Sequence, residues 1–227
     1  MRLRVESLTD RLALVEFPSR KELAGSLVRI QEHFESPQFR GRGFTLEEFM
    51  AWYTANSPNG KKTGKFTYAT DWQAFNLPAK AFESFYSGEF DPLSPQEQSV
   101  LKLLQPRVKE GVYFIATWKN GSEHDLRHEV AHGLFNTNAR YKRAILGAIA
   151  HLSEGQRAGL QAFLGSTAGY HEQTYLDEMH AYLIAGHEEL RKAGIDLGQY
   201  AGVVLQLKTV FNRFVGASPK LKRFRIK

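Results

Sequence analysis

Val112-Tyr113-Phe114-Ile115-Ala116-Thr117-Trp118, the turn Lys119-Asn120-Gly121-Ser122, and then Glu123-His124-Asp125-Leu126-Arg127-His128-Glu129-Val130-Ala131-His132 form one continuous run in which the hydrophobic period changes. The opening residues are β-branched or bulky and closed by turn formers, the composition of a strand. From Glu123 onward, Leu126, Val130 and Leu134 recur at helical spacing, and the pattern continues in segments at 123–136, 139–151, 154–164, 171–191 and 197–214. Strands early and helices late predict an α+β fold.

Upstream, Arg2 to Val5 and Leu12 to Phe17 read as a strand pair, and Lys21 to Phe34 and Leu46 to Thr54 as helices. Thr45 with Glu48 has the spacing of a capping box, as does Ser94 with Glu97, where Pro95 takes the favoured first position of a helix running to about Leu104 and ended by Pro106. The breakers at 36–43 predict a loop, Asn56 to Lys62 a polar surface loop, and Lys65 to Thr70 a β-like stretch. The tail, Lys220-Leu221-Lys222-Arg223-Phe224-Arg225-Ile226-Lys227, alternates charge with apolar residues and reads as a final strand with one face buried. The expected division is an α+β region of unassigned role at 1–110 and a region carrying the chemistry at 111–227, packed as one compact unit.

The 227 residues, 42% hydrophobic and 24% charged, are ordinary for a globular chain, and no run approaches the roughly 18 apolar residues of a membrane span. Charges at Arg2, Arg4 and Glu6 interrupt the apolar core that an export signal needs, so a cytoplasmic location is expected, with no membrane partner. Cysteine is absent, which excludes disulfides, thiolate ligands and a cysteine nucleophile; any metal is held by nitrogen and oxygen. The net charge of +6 is spread along the chain apart from the tail, so nucleic acid is not the expected partner.

In a helix, residues four apart share a face, so His128 and His132 can present ring nitrogens to one ion about 2.0–2.1 Å from each. Glu129, beside the first, is placed to take the proton of an activated water. The alternative is an exposed amphipathic helix whose His and Glu are simply solvated.

His128-Glu129-Val130-Ala131-His132 resembles the HExxH motif of the zincin metallopeptidases. The resemblance implies a zincin-like fold, Zn²⁺ as cofactor, a peptide or protein substrate, and an edge strand before the active-site helix, here Val112 to Trp118, on which an extended substrate pairs. It also implies a third ligand. Metzincins place Gly and His three and six residues after the second ligand, where this chain has Phe135 and Asn138. Gluzincins take a glutamate from a later helix, and Glu178 in Tyr175-Leu176-Asp177-Glu178-Met179-His180-Ala181-Tyr182 is the candidate, with Asp177, Glu172 or another histidine as alternatives. Many gluzincins carry an aspartate four residues after that glutamate to orient a ligand histidine; this chain has Tyr182 there, and Asp177 is the candidate for the orienting role.

A helix starting near His171 would set His171, Tyr175 and Tyr182 on the face of Glu178, within reach of a developing oxyanion. His171 is taken as the candidate catalytic group, and the two tyrosines as core packing. His180 and His187 project to the opposite face, and His33 and His151 have no ligand set nearby; His124 lies at most at the rim of the site. The expected chemistry is peptide-bond hydrolysis by a metal-activated water, with Glu129 as general base and His128, His132 and Glu178 as ligands. Two competing readings are a zinc hydrolase of a non-peptide amide or ester, and a non-catalytic nucleic-acid or regulatory binding protein. Two histidines and a carboxylate also suit iron, cobalt or manganese.

Overall fold

The computed structural model describes residues 3–36, 38–167 and 170–226; Arg2, Pro37 and Lys227, which fall in stretches assigned above, lie outside the described residues. The chain divides into two compact units, Met1–Gly121 and Ser122–Lys227.

In the first unit, β1 (Arg4–Ser7) pairs antiparallel with β2 (Leu12–Phe17). Ser19 caps α1 (Arg20–Glu35) by accepting from the Glu22 amide, and Leu23, Leu27 and Ile30 form its buried face. Thr45 likewise caps α2 (Leu46–Asn56). The expected surface loop that follows contains α3 (Pro58–Thr63), because Ser57 caps it, Pro58 takes its first turn, and Gly64 at φ 64 closes it. The β-like stretch becomes α4 (Tyr68–Asp71): Asp71 accepts from Tyr53 Oη at 2.8 Å, Asn59 Nδ2 at 2.7 Å and Thr67 Oγ1 at 2.6 Å, which winds the backbone into a turn.

β3 (Ala74–Leu77), a 3₁₀ turn, α5 (Glu83–Tyr86) and α6 (Pro95–Lys109) follow. The capping box of Ser94 and Glu97 is formed. Pro106 does not end α6; the carbonyl deprived of its partner belongs to exposed Lys102, where water can satisfy it. Arg29 of α1 donates from Nε and Nη2 to the Glu97 carboxylate at 2.7 and 2.6 Å, a buried two-point ion pair joining α1 to α6.

β4 (Tyr113–Trp118) runs parallel to β2 and antiparallel to β3, giving the sheet order β1-β2-β4-β3. The expectation that this strand is a free edge is therefore corrected: both of its sides are hydrogen-bonded, and the sheet ends at β1 and β3. The same hydrogen bonds place β4 with the first unit, so the division falls at 121/122 rather than 110/111. Gly121 closes the turn after β4, where a Cβ would stand 2.2 Å from Thr117 Oγ1.

The second unit is helical among its described residues. Ser122 caps α7 (Glu123–Thr137) and Asn138 caps α8 (Ala139–Ile149). A capping box of Ser153 and Gln156 starts α9 (Glu154–Ala162), which runs into a π-turn at Phe163–Thr167. The single helix expected over 171–191 is three pieces: a 3₁₀ turn at Glu172–Thr174, α10 (Tyr175–Ala185) and α11 (His187–Lys192), with Gly186 between the last two. A 3₁₀ turn leads into α12 (Ala201–Gly216), and α10 packs on α7, α8 and α12.

The expected terminal strand is instead a 3₁₀ turn at Lys222–Phe224. Leu221 and Phe224, three residues apart, are the buried pair, a spacing that a strand would split between faces. Asn212 holds the segment by bonding both the amide and the carbonyl of Ile226 at 2.8 Å. No helix among the described residues is long and apolar enough to cross a membrane.

Candidate metal centre

α7 buries Val130, Ala131 and Leu134 and so turns His128 and His132 together toward α10. α10 buries Met179, Ala181, Leu183 and Ile184 and brings Glu178 to the same place. The two Nε2 atoms are 3.0 Å apart, and Glu178 Oε2 lies 3.8 Å from His128 Nε2 and 3.6 Å from His132 Nε2. Three donors held about 2.0–2.2 Å from one tetrahedral ion stand about 3.3–3.6 Å from one another. The triangle has close to that size, and these three residues group as possible metal ligands.

Glu178 Oε2 is buried without a hydrogen-bond partner, a costly state for a carboxylate oxygen and one that a cation relieves. Burial alone would raise the Glu178 carboxyl, but His132 and His128 hold it well below the usual range. Burial would lower His132, but Asp177 and Glu178 overcome it and raise the ring well above an ordinary histidine. A ring raised in this way holds a proton on each nitrogen, so a cation binding here displaces the one on Nε2; the set it then meets is two imidazole nitrogens and one charged carboxylate.

His132 Nδ1 is 2.8 Å from Asp177 Oδ1, the contact through which Asp177 would orient the ring. Burial raises the Asp177 carboxyl, yet the adjacent His132 brings it below its ordinary value. Its other oxygen accepts from Asn136 Nδ2 at 2.9 Å, and the same amide donates to the His132 carbonyl. Asn136 was not singled out in the sequence; its signal is its place four residues after His132, on the same helical face.

Glu129 is buried on α7 directly after His128. His171 stands differently from its expectation, because the helix that was to carry it begins four residues later. Its exposed side chain caps the 3₁₀ turn, with Nδ1 accepting from the Gln173 amide at 3.3 Å. Tyr182 approaches the cluster instead: its ring meets His128 edge-on, centroids 4.9 Å apart, and its hydroxyl is 3.4 Å from that of Tyr170.

His180 is fully buried, stacked on Phe135 at 4.8 Å, with Nδ1 3.5 Å from Asp177 Oδ1; burial pushes it down to about 4. His124 pairs with Glu189 at 3.5 Å. His33, His151 and His187 bond Ser84, Gln206 and the Leu183 carbonyl respectively. Comparison of the chain with protein-family models, curated proteins and solved structures finds no match.

Proposed function

We propose that the second unit is a metal-dependent hydrolase of the zincin kind, acting on peptide bonds, with zinc held by His128, His132 and Glu178. The observation that carries this reading is the convergence of those three donors around a buried Glu178 oxygen that makes no hydrogen bond, with Asp177 behind His132. Bound there, a divalent ion supplies Lewis acidity, lowering the pKa of a water toward about 7 and polarising a carbonyl.

The chain's own residues do the remaining work. Asp177 fixes the His132 tautomer with the proton on Nδ1, leaving the Nε2 lone pair for the ion. Glu129 takes the proton of the attacking water and returns it to the leaving amine, so no covalent intermediate with the chain is needed.

A second reading, hydrolysis of a non-peptide amide or ester, is favoured by the interior position of β4, which removes the strand expected to pair with a peptide. Zinc-loaded wild type and Glu129→Gln, assayed on an unfolded protein and on small N-acyl amides and esters, test the reading. The expected result is cleavage by the wild type and its loss in a variant that keeps its metal. Cleavage at the wild-type rate by Glu129→Gln would overturn the general-base assignment.

A further inference from the structure

We infer that Tyr182 is the hydrogen-bond donor to the substrate's carbonyl oxygen as that oxygen becomes an oxyanion, and that Tyr170 positions it. The inference rests on the hydrolase reading above and names a group that reading leaves unassigned.

Tyr182 follows Glu178 by one turn of α10. Side chains on a helix lean back toward its amino terminus, which carries the phenol over the turn that presents Glu178. The edge contact with the His128 ring, 4.9 Å between centroids at 77°, places the phenol ring beside the ligands.

The surroundings leave the Tyr182 hydroxyl available for this use. Its polar contact is the hydroxyl of Tyr170 at 3.4 Å, long for an O–H···O bond and easily exchanged for a stronger acceptor. The ring itself is firmly held. Phe163 of the π-turn packs edge-on at 5.1 Å, and a Cβ at Gly186 would stand 2.2 Å from Tyr182 Cδ1, so glycine keeps that space for the ring. Asp177 already orients His132, which frees the position one turn after Glu178 for another task.

In the step itself, the water oxygen bonds to the carbonyl carbon while Glu129 takes a water proton. The carbonyl π pair moves onto oxygen, where the Tyr182 O–H donates to it and keeps its own proton. When the C–N bond breaks, its electron pair stays on nitrogen, the C=O bond re-forms, and nitrogen receives the proton from Glu129. An anchored ring with a loosely engaged donor costs little reorganisation as the charge develops.

The test compares wild type, Tyr182→Phe, Tyr170→Phe and the double variant, each loaded with cobalt, whose visible spectrum reports both metal occupancy and the binding of acetohydroxamate as an oxyanion probe. All four are expected to take the metal alike. Tyr182→Phe should bind the probe about tenfold more weakly and, with a substrate in hand, lose about 10²-fold in kcat with little change in KM. Tyr170→Phe should show a smaller loss, and the double variant no more than Tyr182→Phe alone. Probe affinity and kcat within twofold of wild type in Tyr182→Phe would overturn the inference while leaving the hydrolase reading intact. A wild type that takes no cobalt would sink both, and is recognised by the missing spectrum.

Discussion

His132 Nδ1 lies 2.8 Å from Asp177 Oδ1, and this one contact decides which nitrogen of the ring faces Glu178. Once a cation displaces the Nε2 proton, the proton that Asp177 holds on Nδ1 leaves the Nε2 lone pair toward His128 and Glu178. Asp177→Ala removes that orientation and leaves a buried N–H without its partner. Metal affinity is expected to fall about 10- to 100-fold, read by competition with a chromophoric chelator. Asn136→Ala, which loosens Asp177 but leaves it in place, should cost only a few-fold. Unchanged affinity in Asp177→Ala would contradict the role.

Metal should also stabilise the second unit. A ligand that binds only the folded state adds about 2.7 kcal/mol at a hundredfold excess over its dissociation constant. Zinc is therefore expected to raise the melting temperature of the wild type, and a chelator to reverse the rise. Glu178→Gln should abolish the response while keeping the helical circular dichroism signal.

The first unit carries its own pH dependence. Glu32 accepts from Tyr68 Oη at 2.7 Å, and burial pushes its carboxyl up from 4.5 to about 7. A raised carboxyl value means that the folded chain binds the proton more tightly than the unfolded one. Stability is then greatest below about pH 4.5, falls as pH rises, and levels off above about pH 7. The loss is on the order of 1–3 kcal/mol. Glu32→Gln keeps an acceptor for Tyr68 but cannot ionise. Urea unfolding of the variant at pH 5 and pH 8 should lack this component of the decline seen in the wild type; an identical decline would assign it to other groups.

Arg29 and Glu97 are both buried and bonded at two points, and Arg29 Nη1 also donates to the Phe90 carbonyl at 3.1 Å. Arg29→Ala leaves the Glu97 charge buried without its counterion. The expected cost is about 3–5 kcal/mol in urea unfolding of the first unit. A change below about 1 kcal/mol would mean that water reaches the vacated carboxylate.

What could be read from the chain before folding follows the range of each interaction. His128 and His132 share a face through helical periodicity alone, and the caps at Thr45 and Ser94 are set within four residues; these are local and legible. The place of Glu178 beside the two histidines was legible only through a likeness to a known motif, and that of Asp177 through the expectation that such a histidine has a carboxylate partner. The misreadings required knowledge of distant neighbours. β4 lost its free edge because β3, a short strand among aromatics, pairs with it. The tail gave up strand alternation because Asn212 binds Ile226 and buries Leu221 with Phe224. His171 precedes a helix that begins only at Tyr175, whereas Tyr182, expected as packing, does pack, against Phe163 and His128.

The most direct test of the central claim is elemental analysis of purified wild type, His132→Ala and Glu129→Gln after chelation and return of zinc. The account predicts about one zinc per chain in the wild type and in Glu129→Gln, and none in His132→Ala. No zinc in the wild type, or equal zinc in wild type and His132→Ala, would contradict it.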